Sequence, residues 1–194
     1  MIEKIKRLRL MEKEKGNPVL REKSFELLLE TIKKHNPKRV LEIGVNTGLS
    51  GIAMMLSSSC ELTGIEIDDD AIKTAKKYYE EFGVNTRAKI FQGDASEIIP
   101  MLTGKYDFIF LDGPKGHYYE YLPHLLSVLK KGGVLFSDNV LFRGYVFSKE
   151  KTPQKYNTTR FSMEKFLTAI TNDDTLTTKI YDIEDGVSIT VKNK

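Results

Sequence analysis

Apolar positions along the 194-residue chain follow two alternating rhythms. Short unbroken runs, RVLEIG (39–44), ELTGIEI (61–67), AKIFQGD (88–94), YDFIFLD (106–112) and GVLFSDN (133–139), read as buried strands. Between them, DDDAIKTAKKYYEEFG and HYYEYLPHLLSVLKKGG have helical spacing, the second closing on a Gly-Gly stop. Strand and helix in repeated alternation predict an α/β fold, a parallel sheet covered on both faces. Upstream, Ile2, Ile5 and Leu8 space an amphipathic helix, and PVLREKSFELLLETIKKHN a second, so residues 1–36 form a helical segment ahead of a core at 37–194. Downstream the rhythm lapses. FRGYVFSKEKTPQKYNTTR (142–160) is polar, basic and unpatterned, and is expected to be a long loop, either a lid or an RNA-binding surface. A short helix, FSMEKFLTAI, follows, and TTKIYDI and VSITVK flank Glu-Asp-Gly as a hairpin.

Length and a 40% hydrophobic content fit one domain with one sizeable core. Lys plus Arg at 30 against Asp plus Glu at 27 leaves a net charge of +3, which argues against a strongly basic nucleic-acid footprint but leaves room for a local basic patch. No apolar stretch approaches the roughly 20 residues of a membrane span. The single cysteine, Cys60, has no internal disulfide partner, so a cytoplasmic protein without membrane contact is expected.

The chemistry gathers where strands end. In an open α/β sheet ligands sit outside the carboxyl ends of the strands. Those ends hold Glu42 with Gly44, Glu66 with Asp68, Gly93 with Asp94, Asp112, and Asp138 with Asn139. Any one of these alone reads as a turn residue; five acidic endings on one edge point to a site. EIGVNTG (42–48) lets backbone approach a ligand at a helix N-terminus, yet it is neither G-x-G-x-x-G nor G-x-x-x-x-G-K-[ST]. A dehydrogenase or P-loop reading therefore loses ground. Glu66, 22 positions after Gly44, can accept from both hydroxyls of a ribose, and Asp94 from an adenine amino group, with the next backbone N–H serving a ring nitrogen. These are parts of an S-adenosylmethionine pocket.

LEIGVNTGLS, GIEID, FQGDA, FLDGPKG, SDNV and the terminal EDG hairpin, in this order, resemble the divalent-metal-dependent O-methyltransferases related to catechol O-methyltransferase, from about residue 37 onward. The resemblance implies a Rossmann-like class I methyltransferase: a seven-stranded, mostly parallel sheet with helices on both faces and a C-terminal antiparallel hairpin. It implies that Glu42, Gly44, Asn46, Gly48 and Ser50 surround the methionine part of the cofactor, with Glu66 and Ile67 at the ribose, Asp94 and Ala95 by the adenine, and Asp112 nearby. It also implies that Asp112, Asp138 and Asn139 hold Mg²⁺ or another hard divalent cation. Three oxygen donors suit such an ion and leave room for water and two acceptor oxygens, whereas three histidines and one cysteine argue against zinc. By the same similarity Lys115 is the general base. An ordinary lysine, with a pKa of about 10.4, is protonated at neutral pH, and a nearby cation disfavours that charged form.

Two features depart from the animal catechol enzymes. Gly113-Pro114 stands where a His-Trp pair contacts adenine, and Arg143 stands where the substrate gate has a proline. An arginine there favours a polar or anionic acceptor, with Lys149, Lys151, Lys155 and Arg160 as a possible basic rim. DNVLFRG with its basic loop resembles the bacterial branch that methylates 5-hydroxyuridine in tRNA; a small catechol-type acceptor explains the same ligands. Phe142, Tyr145 and Phe147 fit a substrate wall, a base-stacking platform or the core. A cofactor- or RNA-binding module without catalysis would be marked by a missing lysine or a broken metal set, and neither is seen. A homodimer is expected from the resemblance and from the apolar stripe of the N-terminal helix.

Overall fold

All seven expected strands form in the computed structural model, which describes residues 1–149 and 151–194. They are β1 (Arg39–Ile43), β2 (Glu61–Glu66), β3 (Ala88–Gln92), β4 (Tyr106–Leu111), β5 (Leu129–Asp138), β6 (Leu176–Tyr181) and β7 (Val187–Lys192), in the order β3-β2-β1-β4-β5-β7-β6. β1 with β2, β2 with β3 and β4 with β5 pair in parallel; β7 runs antiparallel to both β5 and β6. The helices are α1 (Ile2–Glu14), α2 (Glu22–His35), α3 (Leu49–Ser57), α4 (Asp69–Glu81), α5 (Ala95–Ile98), α6 (Tyr118–Val128) and α7 (Asn157–Asn172). Among the described residues no helix is long and apolar enough to cross a membrane. The chain divides into two compact units, Met1–Ile98 and Ile99–Lys194.

In the first unit, Val40, Leu41 and Ile43 of β1 are excluded from solvent, as are Phe25, Leu28 and Ile32 of α2 and Ile52, Ala53 and Met54 of α3. Asp68 caps α4 by accepting the Asp70 and Ala71 N–H groups, each at 2.9 Å. β3 corrects the expectation of uniformly buried strands: it is the edge of the sheet and none of its five residues is fully buried. The N-terminal helix also differs from its apolar reading. Ile5 is buried, but Ile2 and Leu8 are half-exposed, and the docked stripe continues through Arg9 and Glu12. Arg9 lies 3.8 Å over the Phe25 ring and donates to Glu22 Oε2 at 2.8 Å. Glu12 accepts from Tyr78 Oη and Lys15 Nζ, each at 2.8 Å, and from Asn17. Burial alone would raise the Glu12 carboxyl, but these three donors outweigh it and hold the group below its ordinary 4.5. Burial, followed by the Glu12 charge, pushes Tyr78 up to about 12.

The second unit is built on β4 and β5, where Phe136 packs edge-on to Phe110 with ring centroids 5.7 Å apart. α6 does not run to the Gly-Gly pair. It stops at Val128, because Leu129 turns extended (φ −77°, ψ 131°) and is buried in register with Tyr106, so the two glycines fall inside β5. Lys192 Nζ donates to the Leu126 and Leu129 carbonyls at 2.7 and 3.1 Å, satisfying the end of that helix. The 142–160 loop is shorter than expected, since α7 begins at Asn157, after a 3₁₀ turn at Gln154–Tyr156. Arg160 Nε pairs with Glu164 Oε1 one turn on (2.8 Å), and its Nη1 reaches back to Thr152 Oγ1 (3.1 Å). Glu150, within that loop, lies outside the described residues.

Candidate functional site

In the first unit the predicted residues collect at the carboxyl ends of β1, β2 and β3. The turn from β1 into α3 is tied to β2 by Gly44 N–H donating to Ile65 O (3.0 Å). Glu42 is fully buried, and Ser50 Oγ, in the first turn of α3, donates to its Oε1. Gly48 precedes α3 with φ of 79°, and a Cβ there would stand 2.7 Å from the Tyr79 ring and 2.9 Å from Ala75 Cβ. Glycine thus supplies both the left-handed backbone and the space that lets α4 close on the turn. Tyr79 has no sequence signature beyond an apolar helix face. Its hydroxyl is buried without a hydrogen-bond partner among the described residues, and burial, then the Glu42 carboxylate, raises it well above the ordinary tyrosine range.

Glu66 organises the rest of this half. Its Oε2 accepts the Asn46 N–H at 2.7 Å, and its Oε1 accepts the N–H groups of Ile67 (2.8 Å) and Asp68 (3.0 Å). Asn46, at φ 48°, accepts the Thr47 N–H on its own Oδ1 at 2.6 Å. Three backbone donors fix the carboxylate in orientation. Ile67 beside it leaves 64% of its surface exposed, an apolar face at the rim of a polar turn. Gly93 N–H donates to Glu66 O (2.9 Å), carrying the end of β3 alongside. Asp94 Oδ1 accepts from Ser96 N–H (2.8 Å) and Ser96 Oγ (2.7 Å), so this oxygen caps α5, which Ala95 opens.

In the second unit, Asp112 follows β4 and Asp138 ends β5; Leu111 pairs with Ser137, so the two aspartates stand level on neighbouring parallel strands. Asp138 is buried and Asp112 half-buried. Lys115, in a 3₁₀ turn at Lys115–His117, places Nζ 2.6 Å from Asp112 Oδ1. Asn139 takes a left-handed φ of 57° and breaks the strand. These donors fit a hard divalent cation: two carboxylates and an amide, all oxygen. Among the described residues no three His, Cys, Asp or Glu side chains form a metal cluster by themselves, so such an ion would rely on the amide and on ligands from outside the chain.

The segment after Asn139 is shaped by the turn between β6 and β7. Val140 N–H donates to Gly186 O (3.0 Å), Leu141 N–H to Asp185 O (2.9 Å), and Arg143 N–H to the Asp185 carboxylate. Gly186, at φ 80°, is required, since a Cβ would meet Leu141 Cγ at 2.3 Å. Phe142 and Arg143 are both left-handed (φ 42° and 58°), a conformation that costs non-glycine residues energy. The result is an aromatic cluster with a cation on it. Phe142, Tyr145 and Tyr156 lie with ring centroids 5.7 to 6.2 Å apart; the Arg143 guanidinium sits 5.0 Å over Tyr156 and donates to its hydroxyl at 3.0 Å. None of the three rings is fully buried, which removes the core reading of Phe142 and Tyr145, and Phe147 is 62% exposed. Arg160, expected at a basic rim, is instead occupied by Glu164 and Thr152; Lys149, Lys151 and Lys155 are exposed.

Sequence reasoning missed Tyr156 and Tyr118. Tyr118, the first residue of α6, is wholly buried and donates to Leu111 O (2.9 Å) and Asp138 O (3.3 Å). Burial, then the charges of Asp112 and Asp138, raises its phenol well above the ordinary range. The Tyr-Tyr pair in the sequence carries no sign that its first member is buried and its second is 45% exposed.

Residues 6–193 match a family model described as O-methyltransferase. The tapetum-specific methyltransferase 1 of Arabidopsis thaliana is 29% identical over 183 residues, 91% of this chain and 77% of that protein. The caffeoyl-CoA O-methyltransferase of Stellaria longipes is 31% identical over 139 residues, 68% of this chain and 56% of that one. Among solved structures, the O-methyltransferase TomG of Streptomyces achromogenes, in complex with SAM, superposes with a TM-score of 0.87 at 21% identity, covering 98% of this chain and 89% of that chain.

Proposed function

Because the chain belongs to the O-methyltransferase family and is an S-adenosylmethionine-dependent O-methyltransferase, we propose that it methylates a hydroxyl of a planar acceptor bearing two adjacent oxygens, with a hard divalent cation, and that the acceptor is 5-hydroxyuridine in tRNA. The observation that carries this reading is the half-buried Phe142–Tyr145–Tyr156 cluster topped by Arg143, beginning just after Asp138 and Asn139 in the chain. Aromatic faces suit a nucleobase, and a guanidinium beside them suits a phosphate or carbonyl. Residues 1–194 act as one catalytic domain in this reading.

Glu42, Gly44, Asn46, Gly48 and Ser50 would receive the methionine end of the cofactor, Glu66 and Ile67 its ribose, and Asp94 and Ala95 its adenine. Asp112, Asp138 and Asn139 would hold Mg²⁺, with Asp112 also bordering the cofactor. When bound, the cofactor would supply an electrophilic methyl group, and Mg²⁺, chelated by the acceptor's two adjacent oxygens, would acidify its hydroxyl. Lys115 Nζ, 2.6 Å from Asp112 Oδ1, would take the hydroxyl proton. Arg143 and the rings orient the acceptor plane. A second reading, a small catechol-type acceptor, is supported by the names of the plant relatives, because a caffeoyl group also carries two adjacent ring oxygens. The enzyme acts as a homodimer in this proposal, with exposed Leu10 and Met11 on α1 as an apolar face; a monomer by light scattering at micromolar concentration would rule that out.

The test is transfer of labelled methyl from S-adenosylmethionine, with Mg²⁺ or with EDTA, to 5-hydroxyuridine-containing tRNA and to a simple catechol in parallel. Metal-dependent labelling of the tRNA at higher efficiency is expected. Labelling of the catechol alone would overturn the tRNA assignment, and labelling undiminished by EDTA would overturn the metal.

A further inference from the structure

We infer that Tyr118 is a positioning residue: its hydroxyl staples the ends of β4 and β5 together and so sets the spacing of the carboxylates that receive the divalent cation. The inference rests on the metal reading proposed above. Two parallel strands are held by their ladder only as far as it runs, and this ladder ends at Leu111 opposite Ser137. Beyond it Asp112 enters a turn and Asn139 goes left-handed, so backbone pairing no longer fixes the distance between the two chains. At that point the Tyr118 Oη proton is shared between Leu111 O (2.9 Å) and Asp138 O (3.3 Å), one carbonyl from each strand end.

The covalent setting of both carbonyls and two further contacts make the same residue a hub. Leu111 is bonded directly to Asp112, and the Asp138 carbonyl belongs to the second carboxylate residue itself. Lys115 Nζ lies 5.8 Å over the Tyr118 ring, and Phe166 of α7 meets that ring edge-on at 5.5 Å. The loop 112–117 therefore starts and ends on one hydrogen bond, from Tyr118 back to the residue before Asp112. A phenylalanine would keep the ring packing and lose only the staple. The strand ends would then spread over a range of separations, and a cation that requires both carboxylates at once would bind less tightly.

The experiment compares wild type, Tyr118→Phe and Phe166→Leu, each saturated with S-adenosylhomocysteine, by Mn²⁺ binding followed through the EPR signal of the free ion, without turnover. Tyr118→Phe is expected to weaken Mn²⁺ binding about tenfold while S-adenosylhomocysteine affinity stays within twofold. Phe166→Leu, which loosens the packing but keeps the hydroxyl, is expected to lower the melting temperature with Mn²⁺ affinity within twofold of wild type. Unchanged Mn²⁺ affinity in Tyr118→Phe, or equal weakening in Phe166→Leu, would overturn the staple. Absence of Mn²⁺ uptake by wild type would instead overturn the metal reading on which it stands.

Discussion

A lysine three residues after an aspartate is an ordinary pattern, and its reading as a base came from the family resemblance. The structure puts Lys115 and Asp112 in direct contact. Lys115→Ala is expected to lower kcat by about 10²- to 10⁴-fold, the usual range for a lost general base, with S-adenosylhomocysteine affinity retained; a large loss of cofactor affinity by calorimetry would argue against that role. Tyr79 offers the opposite case, a buried hydroxyl with no partner among the described residues. Removing an unsatisfied polar group costs nothing, so Tyr79→Phe is expected to leave the melting temperature unchanged or slightly raised. A drop of several degrees would reveal a hydrogen bond from this hydroxyl, by way of water, to Glu42. At this scale the sequence was most readable where a side chain ends a strand, as at Glu42, Glu66, Asp112 and Asp138. It was silent on Tyr79, Tyr118 and Tyr156, because a tyrosine's use of its hydroxyl depends on groups the chain brings in from elsewhere.

Elements were legible in kind and less so at their ends. Helix α6 stops where Leu129 turns extended into β5, and its last carbonyls are capped by Lys192, 63 and 66 positions downstream, a signal no local window contains. The amphipathic reading of α1 found the docked face but not its chemistry: Arg9 and Glu12 replace apolar residues there and bring their own partners. That substitution makes α1 docking sensitive to acid. The folded Glu12 carboxyl is held below 4.5, so its contribution is full above that value and is lost as pH falls through the lower, folded value. Glu12→Gln should cost about 1–3 kcal/mol at pH 7 and flatten the decline in melting temperature below about pH 4.5. An unaltered acid limb in the variant would show that the carboxylate is not the group titrating.

For the whole molecule, a net charge of +3 predicts no general attraction to RNA, and any such affinity has to be local. With Arg160 committed to Glu164, the cations left of the expected basic rim are Arg143, Lys149, Lys151 and Lys155. If all four meet phosphates of a single-stranded anticodon loop, log K should fall with log salt at a slope of about −3. A slope near zero, with activity on a catechol, would identify the segment as a cover for a small acceptor. The seven-stranded sheet and its antiparallel hairpin could be anticipated from the resemblance, but the aromatic cluster could not, because it joins Phe142 and Tyr145 to Tyr156 across a stretch without periodicity.

The hold of the 184–186 turn on the acceptor loop also has a meaning in time. Arg143 takes its backbone partner from Asp185, 42 positions later. A ribosome adding about 5–20 residues per second needs roughly 2–8 s to travel that far. Throughout that interval the nascent chain has both aspartates and the lysine already made, while the loop after Asn139 lacks the turn that holds Val140, Leu141 and Arg143.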